Sequence, residues 1–154
     1  MAAPSAVQAY AKNLNLWKLS DLSGFTIKLL LTASTQVIDT TVTGNSILTD
    51  ITAELANGNG YTTGGATLAA PTITAITSGY KFSTSAASWT ASGTGIPAWR
   101  YGVIYISGAA WGLTSPLLGY FTGDSTPADV PLTASGNTLQ INCPANGWFT
   151  DTRV

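Results

Sequence analysis

The apolar positions of this chain change their period near residue 24. Upstream, Val7, Tyr10 and Leu14 fall on one helical face of an alanine-rich stretch. Pro4 suits a first helical turn, and Asn15 ends the pattern just before Trp17. A helix over residues 4–14 is the expectation. From Gly24 onward the period is two. Phe25, Ile27, Leu29 and Leu31 alternate with Thr26, Lys28, Leu30 and Thr32, which predicts a strand with one buried face. Residues 72–76 read as another short strand. Residues 99–107 carry Trp99, Tyr101, Val103 and Tyr105 on one side and Arg100, Gly102, Ile104 and Ile106 on the other. Both sides are largely apolar, so this strand belongs at the centre of a sheet. Residues 117–122 are expected to pair with it through the glycine-rich connection 107–112. Residues 138–143 alternate with Leu139, Ile141 and Cys143 inward.

Turn signals separate these runs: Gly58-Asn59-Gly60, Gly64-Gly65, Ser92-Gly93, Thr122-Gly123-Asp124, Ala134-Ser135-Gly136 and Asn146-Gly147. The pattern predicts a mainly β fold, an antiparallel β-sandwich or barrel-like domain over residues 20–154, preceded by an N-terminal helix or arm over 1–19. One stretch departs from it. Ile47, Ile51 and Leu55 repeat every four residues, which allows a short helix stopped by Asn57-Gly58.

Composition sharpens the picture. The 154 residues include six basic and seven acidic side chains, 8% in all, and no histidine. Globular domains carry about 25% charged residues. Threonine and serine, 24 and 14 of them, take that place, with 16 glycines and five tryptophans. Such a surface repels its neighbours weakly and desolvates cheaply against another subunit. A net charge of −1 with scattered basic residues argues against nucleic acid as a partner. The longest apolar runs are far shorter than the about twenty residues of a membrane helix, so no membrane partner is expected. Residues 1–9 lack the basic and apolar regions of a signal peptide. The lone Cys143 allows no internal disulfide and reads as a buried, inert thiol.

Candidate chemistry is sparse. Without histidine, a serine or cysteine nucleophile lacks its usual base, and zinc patterns are absent. Asp50 and Glu54 would share a helical face, where a structural role outweighs a hydrolytic pair. Gly58 to Gly65 resembles a phosphate loop only superficially, because no Lys-Ser/Thr follows. Tight turns at positive φ explain it better. No enzyme activity and no cofactor are expected. Trp89 and Trp99 sit in strand-like runs and read as core. Trp111 and Trp148 lie beside glycine in loops, where exposure, and with it a glycan platform or a protein contact, is plausible.

Several motifs together carry a resemblance. Residues 20–32, Asp50-Ile51-Thr52-Ala53-Glu54-Leu55, Gly60-Tyr61-Thr62-Thr63-Gly64-Gly65-Ala66-Thr67-Leu68, Ser88-Trp89-Thr90, Trp99 to Tyr105, Ser115 to Tyr120, Thr138 to Asn142 and Asn146-Gly147-Trp148-Phe149 follow one another in this order. In these motifs the chain resembles a family of small structural proteins of tailed bacteriophages. The resemblance implies a virion protein made in the host bacterial cytoplasm. The specific expectation is a capsid cement or decoration protein on the outer shell. It would bind the major capsid protein and itself as a homo-oligomer, with a trimer expected. Alternatives are a tail or head–tail junction protein and a glycan- or receptor-binding β module. Tyr10, Trp17, Trp111 and Trp148 are the candidate interface residues.

Overall fold

A computed structural model describes residues 7–10, 19–77, 79–124 and 128–152. Its centre is a five-stranded antiparallel sheet in which β1 (Gln8–Ala9), β10 (Leu117–Thr122), β7 (Tyr101–Ile106), β2 (Ile27–Thr32) and β3 (Ala66–Thr67) lie side by side in that order. β7 is the middle strand, as its two apolar faces predict. β10 pairs with it, one extra residue at Leu118 forming a bulge after which Leu118 and Gly119 both face the larger core, while Leu117 faces the other side. Two smaller antiparallel units pack against one face of this sheet. One joins β11 (Thr138–Ile141) to β6 (Ala87–Thr90); the other places β5 (Gly79–Ser83) between β12 (Phe149–Thr152) and β4 (Thr72–Ile76). The sheets stay open, since β1 and β3 are edges, so the barrel alternative gives way to layered antiparallel sheets.

The larger core lies between these layers. Ile27, Leu29 and Leu31 of β2 and Ile104 and Ile106 of β7 meet Phe82, Trp89, Leu139, Ile141 and Phe149 there. Leu22, in a 3-10 segment over Leu19–Gly24, joins them. Gly102 has no side chain because the Phe121 ring lies where a Cβ would stand.

The opposite face of the central sheet is also covered, which corrects the expectation of a single buried face on β2. Leu30, Val103, Tyr105, Leu117 and Tyr10 form a second core with Ile51, flanked by Ile38 and Leu48. The chain after β2 folds back across this face. The helix expected over residues 47–55 is absent: only a 3-10 turn at Leu48–Asp50 forms, and extended backbone follows, with Glu54 bridging to Thr32. The four-residue apolar repeat served burial of Ile51 and Leu55 from an extended chain on opposite cores.

The N-terminal helix is likewise not supported. Gln8–Ala9 is a strand, with Gln8 opposite Tyr120 and Ala9 opposite Gly119. Extended backbone sends Val7 to the larger core and Tyr10 to the smaller, while the open edge of β10 supplies hydrogen-bond partners. Residues 4–6 and 11–14 of the expected helix lie outside the described residues. No helix among the described residues is long and apolar enough to cross a membrane.

Replacement of Leu30 by alanine separates one buried face from two. Because Leu30 is fully enclosed, Leu30→Ala is expected to lower the unfolding free energy by about 2–5 kcal/mol in urea titrations. A solvent-facing position would change it by less than about 0.5 kcal/mol.

Candidate functional site: an uncharged contact surface

The carboxylates that might have carried chemistry are occupied by backbone. Asp50 reaches back so that its Oδ2 accepts from the Ser46 N–H (2.7 Å) and the Ile47 N–H (3.0 Å), capping the 3-10 turn. Glu54 Oε1 accepts from the Tyr61 hydroxyl (2.8 Å) and from the Gly64 N–H (2.5 Å). Without the expected helix, the two acids share no helical face. The Tyr61 hydroxyl in turn accepts from the Leu31 N–H (3.0 Å), and the Tyr105 hydroxyl donates to the Gly64 carbonyl (2.7 Å). Burial raises the Tyr61 hydroxyl pKa, the Leu31 hydrogen bond opposes that rise, and the Glu54 carboxylate adds to it. Tyr105 is pushed up to about 12 by burial and by Glu54.

This polar knot pins the Gly58–Gly65 stretch to the central sheet. Asn59 (φ 55°) and Gly60 (φ 92°) form a two-residue hairpin turn between Gly58 and Tyr61, which exchange both backbone hydrogen bonds. Gly65, at φ 71°, lies against the Leu29 carbonyl where no Cβ fits. The turn reading of these glycines therefore holds.

The four expected interface residues separate in space. Tyr10 is wholly buried beside Tyr120, with ring centroids 5.7 Å apart. Burial, then the neighbouring Tyr120, raises its pKa. Trp148 is 2% exposed rather than on a loop surface. Gly147 (φ 79°) turns the chain so that the Trp148 N–H donates to the Phe82 carbonyl. The indole stacks on Phe121 and its Nε1–H donates to Thr84 Oγ1 (2.8 Å). Trp111 is half-buried at the tip of a hairpin between β8 (Ala109–Ala110) and β9 (Leu113–Thr114), inside the expected glycine-rich connection. Trp111 (φ 51°) and Gly112 (φ 78°) make its turn, and the indole meets Phe25 edge-on at 5.6 Å. Trp17 lies outside the described residues. Cys143 is half-buried at the rim of the larger core, less enclosed than expected.

Among the described residues, the most exposed large apolar side chains are instead Val37 (75%) and Val42 (73%), both on the loop of residues 33–46 that follows β2. Exposed valines on a braced loop differ from valines on a slack one. Gln36, itself buried, accepts at Oε1 from the Thr52 and Ala53 N–H groups (2.8 and 3.0 Å) and donates from Nε2 to the Val37 carbonyl (2.8 Å). Asp39 accepts at Oδ1 from the Thr41 N–H, and its own N–H donates to Asn45 Oδ1. Hydrogen bonds from Thr41 hold the Asp39 pKa below its ordinary value. The loop's backbone is thus held from both ends while its apolar tips face water. Sequence reasoning passed over Val37 and Val42. The available signal was the Asp39-x-Thr41 turn with Gly44-Asn45, flanked by isolated valines in a threonine-rich stretch.

No protein-family model, curated protein or solved structure matches this chain.

Two measurements probe this polar framework. Glu54→Ala leaves the Gly64 N–H and the Tyr61 hydroxyl without their acceptor, and is expected to cost about 2–3 kcal/mol in chemical unfolding. Raising pH reads Tyr105. Its folded pKa exceeds its ordinary value of 10.0, so the folded state holds the proton more tightly. That contribution is complete below pH 10 and is lost as pH climbs toward 12. Thermal unfolding across this range should show a falling midpoint, and Tyr105→Phe should make the fall shallower.

Proposed function

We propose that this protein is a structural, non-enzymatic component of a tailed-phage virion, most specifically a capsid cement protein. It binds the outer shell in many copies across junctions between major capsid protein subunits. The observation that carries the contact role is the pair Val37 and Val42, about three-quarters exposed on a loop whose backbone is held by Gln36, Asp39 and Asn45. A pre-ordered loop loses little entropy when its tips are buried by a partner. The near-absence of charge supports the same reading, since little desolvation opposes contact with a neighbouring subunit. The motif resemblance of residues 20–149 supports the virion as the place. Individually weak contacts add up when one particle offers many equivalent sites.

Copy number in purified particles tests the place. Quantitative mass spectrometry is expected to find a simple fraction of the major capsid protein count. A few tens of copies per particle would move the protein to the tail or the head–tail junction, and absence from particles would end the virion reading. For the surface, a Val37→Asp/Val42→Asp double variant is expected to fold normally, with binding to capsids stripped of this protein weakened about tenfold or more.

A further inference from the structure

β4 is the longest strand that lies at a sheet edge among the described residues, and it lacks the devices that keep such edges apart. Thr72-Ile73-Thr74-Ala75-Ile76 holds no charge, no proline and no bulge, and it pairs on one side only, with β5. Open edges of this kind template pairing with another strand. The direction of its backbone groups follows from β5. The Phe82 carbonyl accepts from the Trp148 N–H (2.8 Å), so the Phe82 polar groups face β12. In an antiparallel sheet, a residue's N–H and C=O point to one side and the side alternates along the strand. Ile73 lies opposite Phe82, and Ala75 lies opposite Tyr80. Both therefore turn their N–H and C=O groups outward.

We propose that β4 pairs antiparallel with β4 of a second copy of this chain, about a twofold axis through Thr74. The register is its own complement. With Thr74 opposite the second copy's Thr74, each Ile73 meets the other chain's Ala75, and these are the two residues whose backbone groups point outward. Both pairs exchange their hydrogen bonds and the edge is satisfied. Charge permits it too, because β4 brings only neutral side chains to the join. Lys81 on β5, opposite Thr74, is drawn the other way, its Nζ donating to the Ala145 carbonyl (2.8 Å). Apolar surface also matches. Tyr80 is 52% exposed beside the small Ala75. In the pair, the residue beyond Ala75 is the second copy's Ile73, so the Tyr80 ring gains an apolar neighbour across the join. Isologous pairing gives even-numbered assemblies in place of the expected trimer. It does not rest on the virion reading.

Sedimentation equilibrium of the full chain over a concentration series reaching the millimolar range tests this. The wild type is expected to approach twice the mass of one chain. Thr74→Lys and Thr74→Glu, at an exposed position, should each sediment as single chains with unchanged circular dichroism, and their equimolar mixture should return to the dimer. A wild type that stays a single chain throughout, or a Thr74→Lys variant as dimeric as the wild type, overturns the proposal. Register is tested separately by Thr74→Cys in a Cys143→Ser background. Oxidation should join two chains at the axis, and failure to cross-link under oxidant overturns the Thr74-centred pairing.

Discussion

Burial of β7 on both faces is the constraint on which this structure depends. A strand whose residues are apolar in both directions requires cover above and below, and a single antiparallel layer supplies only one. The β4-β5-β12 and β6-β11 units close one side with aromatic side chains. Among the described residues, no further sheet covers the other side. It is closed by a threonine-rich connection, residues 33–55, that contributes few large apolar groups.

Irregular backbone over a core brings polar groups that need partners. In this connection, side chains meet that need: Gln36 takes the Thr52 and Ala53 amides and Asp50 takes those of Ser46 and Ile47, while Glu54 ties the connection to the Gly64 amide beyond it. Three of the chain's few long or charged polar groups are thus spent on holding one lid in place. Arg100 and Asp129 account for another pair, joined at 2.8 Å. What remains outside is largely hydroxyl and methyl. The neutral exterior and the polar interior of the lid are consequences of the same small stock of charges. The exposed Val37 and Val42 sit on the outside of this lid, where the hydrogen bonds that cover the core also fix the loop.

The regular part of the fold was legible in residue order. β2, β4, β7, β10 and β11 all fall within stretches that read as strands, and β7 lies at the centre as its doubly apolar pattern requires. The turns at Gly58–Gly60 and Gly64-Gly65 were legible too, since positive φ is costly for other residues. β5 and β12 were harder to read. Each has only one buried aromatic, Phe82 or Phe149, beside polar and exposed positions. The two helical expectations failed for a shared reason. Val7, Tyr10, Ile51 and Leu55 do have helical spacing, but two cores lie on either side of an extended chain, and apolar residues can be divided between them without a helix.

Sequence alone determined the β class, the central strand, the turn positions and the scarcity of charge, because each depends on local periodicity, local φ preference or composition. Tertiary structure decided which tryptophans were buried, which carboxylates became backbone acceptors and which valines faced water. Trp148 and Val37 show why. Both stand in loops whose local sequence is compatible with either environment. Only the position of Phe121 and Thr84 around the indole, and the anchoring of Gln36 beneath the valine, assigns one to the core and the other to the surface. Those neighbours lie far away along the chain, or depend on how a lid crosses a sheet, and no local pattern encodes that.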